Sequence, residues 1–244
     1  MFLRAVRSRD GLLLFVGAAT ALSFRRLFAA RSRSVGGTVG GIYDPFLHEG
    51  AQRKKSGLYT KTGDKGSSSL YNGERRTKAD AVFDALGHQD ELNCVLGIAR
   101  EHCVAKRNGL DAYLIVVQSR LFDLGAAVAT PISSSSEDKK RYTAFDSSLT
   151  EQIEQWIDAL DATVPPLSNF VIPSGGLSCT YLNLARAVCR RAERAVVPLV
   201  QAQQVDVEVG RYLNRLADFL FAASRAAAHR EKQAEILWIK HAGN

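Results

Sequence analysis

From residue 78 onward, apolar positions recur every three or four residues, the spacing that lines one face of an α-helix. Val82, Phe83, Leu86, Val95, Leu96 and Ile98 predict a first helix over about 78–103. Leu110, Leu114, Val117, Leu121, Leu124 and Val128 alternate steps of four and three, a seam of the kind that faces other helices. Thr130-Pro131 and the polar run 133–140 predict an exposed, mobile loop after it. A third helix is expected to open on a capping box, Ser148 to Glu151, and to present Leu149, Ile153, Trp156 and Leu160 before Pro165-Pro166. The fourth spans about 177–200, where Pro198 predicts a kink or an early stop. The fifth runs over about 205–231 with the seam Val209, Leu213, Leu216, Leu220, Ala223 and Ala227. With almost no strand signal and no internal repeat, the fold class is all-α, a bundle of five helices.

The N-terminal part has a different texture. Residues 58–72 are rich in Gly, Ser, Thr and Lys and predict an extended loop, with at most a short strand at 58–60. Residues 42–57 continue a Ser/Gly/Thr-rich stretch that begins near residue 32 and are expected to form a linker. The chain has 244 residues and a pI near 9.4, which invites a nucleic-acid partner. Residues 1–41 carry seven arginines, no lysine and one acid, Asp10. Of the chain's 32 basic and 25 acidic residues, 25 and 24 lie beyond that leader, so the folded part is close to neutral. A generally cationic, nucleic-acid-coating surface is therefore not expected.

The leader's Arg-rich, acid-poor, Ser- and Ala-dotted composition is that of a mitochondrial transit peptide and points to the matrix. A secretory signal, with 4–9 as charged region and 11–22 as apolar region, is the competing reading. Against it, Arg25, Arg26, Arg31 and Arg33 continue the charge beyond the apolar run. That run is also short of the ~20 residues that span a bilayer. Cys94, Cys103, Cys179 and Cys189 form no CxxC pair and no metal-ligand cluster, and they are too few for a disulfide framework in this length of chain. The expected domains are thus 1–41 transit peptide, 42–57 linker, 58–231 helical domain and 232–244 tail.

Six segments can carry chemistry. In the stretch 60–69, TKTGDKGSSS, glycines let amides point into one concavity, lysines add charge and hydroxyls can meet phosphate or a magnesium-bound water. It lacks the Walker A pattern, and a plain surface turn is its other reading. Glu74 and Arg75 read as a solvated helix entry, while Lys78 can reach back to the loop. Asp90 falls in the row Phe83, Leu86, Asp90, Cys94, so it either meets a partner across a helix or subunit interface or sits exposed at a stripe edge. On the fourth helix Arg186, Arg190 and Arg194 repeat every four residues and Glu193 joins them, either as a salt-bridged solvent face or as a seat for a polyanion such as triphosphate. On the fifth, Arg211, Asn214, Asp218 and Arg225 share a face. Between the third and fourth helices, the stiff loop 165–176 presents Phe170, a loop anchor unless a large apolar ligand lies above it.

Taken in order, YTKTGDKG at 59–66, GERR at 73–76, DEL at 90–92, PSGG at 173–176, RAVCRRAER at 186–194 and NRLADFLF at 214–221 resemble the ATP:cob(I)alamin adenosyltransferases of the propanediol-utilisation type. The resemblance covers about 58–230; Ser67 and the Tyr71-Asn72 pair depart from it, and the leader and the last dozen residues lie outside it. It implies a five-helix bundle with ferritin-like up-and-down packing, an N-terminal Gly/Ser/Lys phosphate-binding loop, and a homotrimer with active sites between adjacent subunits. Thr60, Lys61, Thr62, Gly63, Ser68, Ser69, Lys78, Arg190, Arg191, Ala192, Glu193, Arg194 and Asn214 would line the ATP site, with magnesium carried by ATP. Arg190 would stabilise the leaving triphosphate. Asp90 and Arg186 match a pair that bridges subunits, Phe170 the aromatic on the lower face of the corrin, and Asp218 a position near the corrin.

The implied reaction needs no protein nucleophile, because cobalt(I) itself attacks the ribose C5′ of ATP. The protein has to neutralise the leaving group, orient C5′ over cobalt, and make reduction from cobalt(II) feasible by excluding an axial ligand. An adenosylcobalamin-dependent mutase and a reductase are the expected partners; His88, His102 and His229 are expected on the surface without a catalytic role. A non-catalytic corrinoid carrier is the rival from another class, and a phosphotransferase, yielding ADP or AMP, a third reading.

Overall fold

The structure, a computed structural model, describes residues 59–241. The transit peptide and the linker, with Leu58, lie outside the described residues. The elements run β1 (Ser67–Ser69), β2 (Arg75–Thr77), α1 (Ala81–Lys106), α2 (Asp111–Val128), α3 (Glu137–Tyr142), α4 (Ser148–Asp161), β3 (Val171–Ile172), α5 (Gly176–Gln201), α6 (Val207–Arg230) and β4 (Ile236–Leu237). Five of these six helices are the ones that the periodicity predicts. The sixth, α3, falls in the segment expected to be a mobile loop. Glu137 and Asp138 in its first turn and Lys139, Lys140 and Arg141 in its last suit the helix dipole, and Lys140–Glu137 and Arg141–Asp138 pair at i,i+3.

Side chains set the helix starts. Asp80 caps α1 by accepting from the Val82 amide at 2.9 Å, so the helix begins at Ala81 and not at Lys78. Asp206 caps α6 in the same way through the Glu208 amide. The capping box expected at Ser148 is not used: the Asp146 carboxylate takes the Ser148 amide at 2.9 Å instead. That bond holds the Asp146 carboxyl below its ordinary range. Pro198 does not end α5, which runs three residues further; this close to a C-terminus few carbonyls lose a partner.

Helix α6 packs against α5 and α4, α5 against α1, and α1 against α2. Helices α1 and α5 run antiparallel, His102 stacking on Tyr181 at one level and His88 and Glu91 meeting Arg191 at another. The predicted seams form the core. All six seam positions of α6 and Leu110, Leu114, Val117, Leu121 and Leu124 of α2 are fully buried. Each such leucine contributes about 1.5–3 kcal/mol of burial. Tyr113, Trp156 and Phe219 interlock by their edges where α4 meets α6. The row Asp90, Cys94, Ile98 of α1 faces outward in the single chain.

Two small antiparallel sheets were not foreseen. β1 pairs with β2, Ser67 opposite Thr77, and β3 pairs with β4, Val171 opposite Leu237. Tyr59 and Thr60, where a strand was conceivable, form none. The second sheet draws the C-terminal tail onto the loop before α5.

Candidate functional site

The 60–69 loop is built from its own backbone and from two basic residues behind it. Lys61 adopts the left-handed conformation (φ 59°), Gly66 N–H donates to Gly63 O, and Gly66 O accepts from the Lys78 amide at 2.8 Å. The Lys78 ammonium stands over Gly63; a methyl group there would lie 3.3 Å from Nζ, so glycine leaves room for the cation. Thr60 and Thr62 bring their hydroxyl oxygens to 2.9 Å.

Arg75, expected at a solvated helix entry, lies instead in β2 and ties the loop together. Its Nη2 donates to Thr62 O (2.9 Å) and to Ser67 Oγ (2.6 Å), and Nη1 to Ser69 Oγ (3.3 Å). Behind it Glu74 holds Arg76 at 2.8 Å and accepts from Ser134 Oγ at 2.6 Å, while Arg76 reaches Asp80 and Gln204. The Arg76 and Ser134 hydrogen bonds draw the Glu74 carboxyl down to about 2. This network joins the first sheet to the cap of α1, the α2–α3 loop and the α5–α6 loop. No sequence spacing announces it, because its partners are up to 128 positions apart.

An open groove of ≈ 620 Å³ follows the first turns of α1, with Lys78 at one end and His88 and Glu91 at the other. Arg191 of α5 closes that far end by donating to Glu91 and to His88 Nδ1. Its hydrogen bond pulls the Glu91 carboxyl below the ordinary range. His88 is thus part of a polar cluster and His102 a stacking partner, both half-buried.

The remaining predicted residues of α5 divide by face. Arg190 and Arg194 are exposed and make no hydrogen bond or ion pair among the described residues. Glu193 accepts from the Asn214 amide at 2.8 Å, so two predicted ATP-site residues meet across α5 and α6. Ala192 is buried in the core. Arg186 lies over the Phe221 ring, 5.6 Å from its centroid, and its buried Nε has no hydrogen-bond partner. Asp90 is exposed and has no ion pair among the described residues. Asp218 is engaged by Arg215, which also holds Glu154. All four cysteines are free, and burial pushes the thiols of Cys103, Cys179 and Cys189 up, Cys179 to about 11.

Phe170 is not a loop anchor: it is 79% exposed. Trp238 meets it edge-on at 6.1 Å, and the apolar side chains of Leu167, Ile172, Ile236 and Ile239 stand exposed beside it. Within one chain the groups stay apart. About 15 Å of α1 separates the loop end of the groove from Glu91, and about 20 Å of α5 separates Gly176, next to the Phe170 loop, from Arg190. One chain offers a cationic loop, an uncompensated arginine face and an apolar platform in sequence along its length.

Among the described residues, no helix is long and apolar enough to cross a membrane, and no three His, Cys, Asp or Glu side chains cluster as metal ligands. Comparison with known proteins places the chain. A family model described as cobalamin adenosyltransferase matches residues 58–227. The corrinoid adenosyltransferase MMAB of Mus musculus is 44% identical over 220 residues, 90% of this chain and 93% of that protein. The Homo sapiens MMAB is 47% identical over 184 residues, 75% of this chain and 74% of that protein. A PduO-type ATP:corrinoid adenosyltransferase from Lactobacillus reuteri, solved as a phenylalanine-to-alanine variant complexed with cobalamin and ATP, matches with a TM-score of 0.69 at 33% identity. That match covers 75% of this chain and 99% of that one. An arginine-to-lysine variant of such an enzyme from the same organism, complexed with ATP, gives 0.68 at 33% identity over 75% and 100% of the two chains. This chain belongs to the cobalamin adenosyltransferase family.

Proposed function

We propose that the chain transfers the 5′-deoxyadenosyl group of ATP to the cobalt of cob(I)alamin, forming adenosylcobalamin and releasing triphosphate. The observation that carries this reading is the arginine face of α5. Arg190 and Arg194 stand exposed on one side without a counter-ion among the described residues, next to the Glu193–Asn214 pair. Guanidiniums clustered in this way suit a polyanion whose charge grows as the reaction proceeds. Family membership, and relatives solved with cobalamin and ATP, supply the substrates.

In this reading the loop of Thr60, Lys61, Thr62, Gly63, Ser68 and Ser69, with Lys78 behind it, cradles phosphates. Arg190, Arg191 and Arg194 neutralise the leaving triphosphate. Magnesium arrives with ATP, and the paired hydroxyls of Thr60 and Thr62 suit an oxygen-ligated cation of that kind. Phe170 and its apolar neighbours form the floor under the corrin and keep water from the lower face of cobalt, which eases reduction and leaves cobalt(I) free to attack C5′. Asp218 stands near the corrin.

The separation of loop, arginines and platform along one chain supports a site completed by a second copy, in a homotrimer of five-helix bundles with ferritin-like up-and-down packing. Arg186 and the exposed Asp90, neither of which has an ion pair among the described residues, are opposite in charge and suit a pair that bridges two copies. The leader composition supports import into the mitochondrial matrix. A reductase that delivers electrons and a mutase that consumes adenosylcobalamin complete the partners.

Arg190→Ala separates an enzyme from a corrinoid carrier. Because Arg190 makes no hydrogen bond among the described residues, the fold should stay intact. Turnover should fall by roughly 10²–10³-fold, the cost of removing one transition-state charge partner. Unchanged turnover would remove the role assigned to the arginine face, and corrinoid binding without turnover in the parent protein would favour the carrier.

A further inference from the structure

The family match ends at residue 227, yet the segment beyond it is wired into the loop that carries Phe170. Trp238 N–H donates to Phe170 O at 2.8 Å, and Ile236 N–H donates to Ser174 Oγ at 2.8 Å. Two-residue strands such as β3 and β4 do not hold themselves in water, and the apolar side chains around them remain largely exposed. Something else has to fix the tail.

That anchor is visible in α6. Arg225 is a charged residue only 5% exposed. Its Nη2 donates to Pro165 O at 2.8 Å, at the root of the Phe170 loop. Its Nε lies 3.5 Å from the carboxylate of Glu235, one residue before β4, and has no hydrogen-bond acceptor of its own. A buried guanidinium needs such a counter-charge, and here it stands between both ends of the second sheet. We infer that the Arg225–Glu235 ion pair is a latch. It holds the C-terminal strand against the Phe170 loop, so that Arg225 and Glu235 are positioning residues for the corrinoid half of the reaction and touch neither substrate. The inference rests on the assignment of the corrin to the Phe170 platform.

The chain has two tryptophans, Trp156 and Trp238, so Trp156→Phe in the full chain leaves Trp238 as the sole emitter beside Phe170. Adding Glu235→Gln, which removes the charge but keeps the shape, should shift the emission of the already half-exposed Trp238 further to the red and raise its iodide-quenching constant, with helix content unchanged. It should lower kcat/KM for the corrinoid by roughly tenfold or more, the scale of a small misplacement, while KM for ATP moves by less than about twofold. Glu235→Asp, which keeps the charge, should recover part of both signals. Trp238 emission and quenching unaltered by Glu235→Gln would overturn the latch, whatever the kinetics. A released Trp238 with unaltered corrinoid kinetics would overturn the positioning role. Phe170→Ala in the same assay separates the two failures: if it too leaves corrinoid kinetics unchanged, the platform assignment has failed and the latch stands on the fluorescence alone.

Discussion

Replacing Arg75 by alanine tests whether the 60–69 loop is a prearranged phosphate cradle. Arg75 is exposed, yet its guanidinium makes two well-formed contacts, to Thr62 O at 2.9 Å and Ser67 Oγ at 2.6 Å, and two longer ones, to Ser69 Oγ at 3.3 Å and Ser67 O at 3.4 Å. Charge-assisted hydrogen bonds net about 1.5–3 kcal/mol when shielded, and solvent at an exposed site cuts each to about 0.5–1 kcal/mol. The two good contacts therefore contribute about 1–2 kcal/mol of loop order, a factor of about 5–30 in the population of the ordered loop. If that order is what ATP meets, KM for ATP should rise by the same factor, with kcat/KM for the corrinoid at saturating ATP little changed. Arg75→Lys should recover little, because an ammonium cannot fork to carbonyl and hydroxyl together. The assay is initial rate against ATP at fixed cob(I)alamin, with a thermal melt alongside. An ATP KM within about twofold of the parent would refute the reasoning. A melt lowered by more than about 5 °C would show instead that Arg75 serves global stability.

Two further expectations concern stability. Gly175 caps α5 at φ 85°, and a methyl group on it would come within 2.8 Å of the Ala228 side chain. Gly175→Ala should cost about 2–4 kcal/mol from left-handed strain plus overpacking, lowering the melting temperature by roughly 5–15 °C; a loss under about 1 kcal/mol would contradict it. The Glu74 carboxyl, held at about 2 against an ordinary 4.5, is depressed by folding, so its contribution is present above 4.5 and is lost as pH falls toward 2. The melting-temperature difference between the parent and Glu74→Gln should be constant above pH 5 and close between pH 4.5 and 2; a difference independent of pH would refute the assignment.

The helices were legible because their seams are local: spacing alone marks Leu110 to Val128 and Val209 to Ala227 as buried, and they are. The capping box failed because Asp146, two residues before Ser148, competed for the same amide and won. Helix α3 was missed because six residues of polar sequence carry no apolar stripe. What could not be read was non-local: Arg75 reaches Thr62 and Ser67 only after β1 and β2 pair, and Glu235 reaches Arg225 only after the tail folds back. The site residues were named through the family motifs. Spacing alone left Arg190 between a solvent face and a polyanion seat and Phe170 a loop anchor, and it is the exposure of both, Arg190 with no hydrogen bond or ion pair among the described residues, that favours substrates as their partners.

The central claim is a transfer of carbon to cobalt with triphosphate as the leaving group. The direct measurement is an anaerobic absorbance assay of the full chain with cob(I)alamin, magnesium and ATP, with the phosphate products quantified at the end. The account predicts growth of the adenosylcobalamin spectrum and triphosphate released in equal amount. ADP or AMP as the product, or an unchanged spectrum from folded protein that binds the corrinoid, would contradict it.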